Sequence, residues 1–125
     1  MIGRTPANVN LLKVIVSQYG LDFSRLDVVQ FPVGEAAEAV KARKADVFLA
    51  AGPVNSRITT EAVNATARDG APTFLAVDSA DAISQNHPVY DAAEIPAGAY
   101  GGSPPRPAEE IKTIGFAHHI AARKG

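Results

Sequence analysis

"VFLAAGPVNSRITTEAV", Val47 to Val63, decides how this chain is read. Val47 to Ala51 is unbroken apolar sequence. That pattern predicts a strand buried on both faces, as in a parallel sheet. Gly52-Pro53 stops the run. Glycine leaves room for close approach, and proline fixes the backbone without needing a hydrogen bond. Asn55, Ser56 and Arg57 follow, and a helical pattern opens behind them. A strand that turns directly into a helix start presents free backbone N–H groups and partial positive charge at its tip.

Strand-like and helix-like segments alternate on either side, without an internal repeat. "LDVVQF" (26–31) is β-branched and strand-like, and "VGEAAEAVKARKA" (33–45) is a short helix of strong helix formers. Further upstream, Thr5 and Pro6 suit a cap and a first turn. Leu11, Leu12, Ile15 and Val16 share one helical face, and Gly20 suits a left-handed terminator. Ile2-Gly3 reads as the tail of a strand whose beginning is missing. Downstream, "SRITTEAVNATARDG" is a helix closed by Asp69-Gly70. "PTFLAVD" (72–78) is a second buried strand, and "SADAISQN" a short helix with Ser79 at its cap. This alternation predicts one α/β domain over residues 1–125, a mostly parallel sheet flanked by helices on both faces.

The alternation breaks at Pro88. A Gly- and Pro-rich loop follows, with a short extended piece at Ala93 to Pro96. One long strand, Lys112 to Arg123, then leads out of the domain. Both ends read as crossings to a missing partner, with Met1 added ahead of an excised piece.

Composition narrows the function. The hydrophobic fraction of 46% and the charged fraction of 20% are those of a globular domain. Twelve basic and 13 acidic residues give a net charge of −1, so no basic field exists to hold nucleic acid. No run approaches the ~20 apolar residues of a membrane span. The chain has no cysteine, which excludes disulfides, thiolate catalysis and thiolate zinc sites. His118 and His119 are adjacent, so in a strand they face opposite ways, and His87 is distant. No dinucleotide fingerprint, nucleoside-triphosphate phosphate loop or nucleophile elbow is present. The expectation is a binding site without catalysis, cofactor or metal.

Three tips should meet at the carboxyl edge of the sheet: Gly3 to Asn8, Ala51 to Arg57, and Ile95 to Gly102. The candidate ligand-binding residues are Arg4, Thr5, Asn8, Gly52, Pro53, Asn55, Ser56, Gly98 and Tyr100. Arg4 or Arg57 would supply the charge. Each has a plainer role: Thr5 and Ser56 as caps, Arg57 as a solvated charge, Tyr100 as packing for a loop.

The segments "FPVGEAAEAVKARKADVFLAAGPVNSRI" and "NHPVYDAAEIPAGAYGGSPPRPAEEIKTIGFAHHIAARK" resemble the TAXI family of solute-binding proteins. These are the receptors of tripartite ATP-independent periplasmic (TRAP) transporters. The markers are "ADVFLAAGP", "HPVY" at His87 to Tyr90, and above all "IPAGAYGG". The resemblance implies the second lobe of a type II periplasmic-binding-protein fold, with the first lobe of the same chain as its missing partner. It implies a periplasmic or extracytoplasmic protein that closes over a small organic anion or amino acid and docks on TRAP permease subunits. Many family members carry Gly-Ser-Gly at the first helix start, where this chain has "GRTPANVN". An effector-binding lobe of a sensor or transcription regulator shares the architecture and is the alternative.

Overall fold

Thr5 begins the first helix by the means its sequence promises. In the structure, a computed structural model that describes residues 1–67, 72–117 and 121–124, Thr5 is extended and its Oγ1 accepts the Asn8 N–H at 3.1 Å. Pro6 occupies the first turn of α1 (Pro6–Gln18). Gly20, φ 69°, terminates the helix just beyond its cap at Tyr19. There Gly20 N–H donates to the Ser17 carbonyl and Leu21 N–H to Val16, the paired bonds of a Schellman terminus. A short turn at Phe23–Arg25 follows, capped by Asp22, whose carboxylate accepts from both N and Oγ of Ser24.

β1 (Ile2–Gly3) pairs in parallel with β2 (Gln30–Phe31), Ile2 opposite Gln30 and Gly3 opposite Phe31. On the opposite edge of β1, the Met1 amine donates to the Val47 carbonyl at 2.7 Å, and Leu49 N–H donates to the Met1 carbonyl at 3.0 Å. Those two bonds are the pattern of a parallel pairing of Met1 with Phe48. The opening stretch therefore runs beside β1 in the same direction, as its apolar sequence predicts.

Alternate residues of that stretch enter two cores. Phe48 packs with Phe31, Ala36 and Ala62 beneath α2 (Ala36–Lys41) and α3 (Arg57–Thr66), which pack on each other. Leu49 and Ala51 join Leu11, Val77, Ala80, Ile83 and Tyr90 beneath α1 and α4 (Ala80–Asn86). Helices thus cover both faces of this stretch. Ile83 is fully buried, and its side chain is worth about 2 kcal/mol in apolar burial.

Several expectations are corrected. The sheet is not one mostly parallel array: β1 and β2 form a two-stranded parallel sheet, and β3 (Asp91–Ile95) and β4 (Ile111–Gly115) a two-stranded antiparallel one. The strand expected over 26–31 is reduced to Gln30–Phe31. Val47 is 58% exposed, so its stretch is not buried throughout. The six-residue α2 makes less than two turns; Phe48 is covered while Val47 stays in solvent. Leu75 is 69% exposed while Val77 is buried, so 72–78 is also one-sided. It touches β4 through Val77 N–H to the Lys112 carbonyl, 2.9 Å. The helix expected over 33–45 divides into a 3-10 turn at Val33–Glu35 and α2, and Arg43 at φ 52° turns the chain away from helix. The extended piece expected at 93–96 is β3, and the long strand expected over 112–123 is β4, which ends at Gly115. Ser79 stands at the cap of α4 but makes no side-chain cap bond. The Asp69-Gly70 terminator and His118-His119 lie outside the described residues. Among the described residues, no helix is long and apolar enough to cross a membrane.

Candidate functional site

Because β1 and the Val47–Leu49 stretch run the same way side by side, their exits fall on one edge. β1 leaves through Gly3–Thr5 into α1, and the neighbouring stretch leaves through Gly52–Ser56 into α3. Two helix starts are thereby brought together. A concave pocket between them is lined by Gly3, Asn8, Phe48, Ala51, Ile58 and Thr59, among others. A more open groove beside it is lined by Arg4, Thr5, Pro6, Val9, Asn10 and Gln30.

The polar side chains at these tips hold the local structure. Thr5 caps α1. Asn8 Nδ2 donates to the Gly3 carbonyl at 3.1 Å, tying the first turn of α1 to the end of β1. Ser56 caps α3: its Oγ accepts Thr59 N–H at 3.2 Å and donates to Thr59 Oγ1 at 2.7 Å. The room left by Gly52 is taken by the chain itself, since a Cβ there would stand 2.9 Å from Thr59 Oγ1. Pro53 and Asn55 are exposed, and Asn55 has no side-chain partner among the described residues.

The two candidate cations separate cleanly. Arg57 Nε lies 2.7 Å from Glu61 Oε1, one helical turn on, and this bond raises the Arg57 pKa above its ordinary value. Arg4 is exposed, and its guanidinium has no hydrogen-bond or ion-pair partner among the described residues. Arg4 is therefore the charge available to a ligand at this edge.

The third tip is built differently. Gly98 N–H donates to the Pro107 carbonyl, Tyr100 N–H to Arg106, Arg106 N–H to Gly101 and Gly101 N–H to Gly98. The loop 98–107 thus closes on its own backbone around a fully buried Pro107. Tyr100 is 6% exposed and stacks on Phe74, ring centroids 6.0 Å apart and planes 7° from parallel. Burial pushes its phenol pKa up. Neither Gly98 nor Tyr100 lines the pocket or the groove. Arg4, Thr5 and Asn8 are thus gathered with residues 51–59, apart from the loop.

Sequence reasoning missed Thr59, a buried polar residue on the pocket wall. The available signal was spacing: Thr59 stands three residues after Ser56, where a cap's hydroxyl reaches. His87 ends α4 in solvent, and among the described residues no three potential metal ligands cluster.

A domain with helices on both faces of a parallel pairing, and two helix starts at one edge, suits the binding of a small molecule. Residues 3–125 match the model of the NMT1-like family, and the chain belongs to that family, a periplasmic-binding-protein-like one. Such families support a general solute-binding role and are typically not enzymes. No curated protein and no solved structure matches the chain.

Proposed function

We propose that this chain is the second lobe of a TAXI-type extracytoplasmic solute receptor, serving a TRAP permease and binding a small carboxylate-bearing solute between two lobes. The observation that carries this reading is the family match over residues 3–125. The paired helix starts and the unpartnered Arg4 support an anionic ligand. The transporter, the location and the solute class come from the resemblance of "ADVFLAAGP", "HPVY" and "IPAGAYGG".

Mechanistically, one lobe holds part of the solute and the other completes the site. The solute favours the closed state because only there does it touch both lobes. The residues proposed to hold the solute on this lobe are Arg4, Thr5, Asn8, Gly52, Pro53, Asn55 and Ser56; Gly98 and Tyr100, candidates from the sequence, stand in the separate loop.

A thermal-shift screen of the full-length protein against organic acids and amino acids tests the reading. A solute at about 100 times its dissociation constant stabilises by ~2.7 kcal/mol. A panel in which no anionic solute raises the melting temperature counts against a solute receptor.

A further inference from the structure

We propose that the groove between α1 and β2 selects a short 2-hydroxy acid over an amino acid, with Gln30 and Asn10 reading the hydroxyl; this rests on the solute-receptor reading above. The pocket between the two helix starts encloses about 30 Å³, little more than a water needs. The groove encloses about 370 Å³, room for a small solute. Three elements bring side chains to it. Arg4 follows β1, and its N–H donates to the Phe31 carbonyl at 2.8 Å, which holds it beside the end of β2. Gln30 enters from β2, opposite Ile2. Pro6, Val9 and Asn10 share one face of α1 and form the other wall.

The polar side chains of this groove are uncommitted. Among the described residues, the Arg4 guanidinium and the Asn10 and Gln30 amides have no hydrogen-bond or ion-pair partner. A guanidinium takes one carboxylate through paired N–H bonds. A second carboxylate finds no second cation, because no other Lys or Arg lines the groove or the pocket. An ammonium fares no better, because no Asp or Glu lines either of them. The remaining polar groups are the two amides, and each offers both a donor and an acceptor. A hydroxyl answers both without bringing charge. Pro6 and Val9 leave apolar contact for a short carbon chain.

Calorimetric titration of the full-length protein with lactate, propionate and alanine tests this. The three share a carboxylate and a carbon skeleton, and differ in carrying a hydroxyl, a hydrogen or an ammonium on the carbon beside the carboxylate. Lactate should bind about tenfold tighter than either of the others, a readout that needs no variant. Gln30→Leu and Asn10→Ala, both at exposed positions, should each bring lactate toward the propionate value and leave propionate within about threefold of the wild type. Lactate affinity unchanged in both variants overturns the role of the two amides, and alanine or propionate bound as tightly as lactate overturns the selectivity. Lactate unbound while another acid of the thermal-shift panel binds overturns the proposal too. Each of these results leaves the receptor reading in place, whereas an empty panel overturns both.

Discussion

The tips at 4–8 and 52–59 and the loop at 96–107 use similar residues to opposite ends. Both have glycine and polar side chains at the ends of strands. In the loop, five backbone N–H groups find carbonyls within the twelve residues, and Tyr100 lies under cover against Phe74. At the helix starts the caps satisfy only part of what the backbone offers. Donors remain over a pocket, and a cation stands beside it. Glycine content alone does not mark a ligand loop; what distinguishes the two regions is where their donors end.

Substitutions should separate the regions by what they damage. The largest effect is expected at Tyr100. Tyr100→Ala removes a buried ring and its stacking on Phe74, and unfolding experiments should show a loss of about 3 kcal/mol. Affinity for a bound acid should change little once the folded fraction is allowed for. Arg4→Gln should do the reverse. Its side chain is exposed and unpartnered among the described residues, so stability should stay within about 0.5 kcal/mol. Solute affinity should fall about tenfold by calorimetry. An unchanged affinity would remove Arg4 from the site.

Ser56→Ala comes next, with a loss of about 1 kcal/mol from the cap of α3, measured by denaturant unfolding. The smallest effect is one of pH. Burial raises the Tyr100 pKa above its ordinary value of 10.0, so the folded state favours the protonated phenol. That stability is complete below pH 10.0 and is lost as pH rises through the folded value. Tyr100→Phe should flatten the alkaline arm of a stability curve, and an arm equally steep in that variant would assign it to other groups.

Much of this was legible in the sequence because the signals were local. Thr5-Pro6, Gly20 and Ser56 sit where helix starts and stops require them, and each performs that role. The apolar stretch 47–51 does lie beside β1, with helices over both faces. The extent of the strands was not legible, because it depends on tertiary cover. Val47 and Leu75 have the composition of buried strand residues, yet short helices and one-sided packing leave them in solvent. The direction of the final pairing was hidden for a similar reason: β4 meets β3 through a return of the chain that no local period encodes. At the site, residue type identified the caps. Only geometry separated Arg4 from Arg57, through the reach of Glu61, and only burial brought out Thr59.

Hydrogen exchange of the full-length protein, with and without an organic or amino acid that raises its melting temperature, tests most directly which region meets the solute. Added protection at residues 4–10 and 50–60, with 96–107 equally protected in both states, is the predicted result. Added protection confined to 96–107, with the two helix starts unaffected, would contradict it.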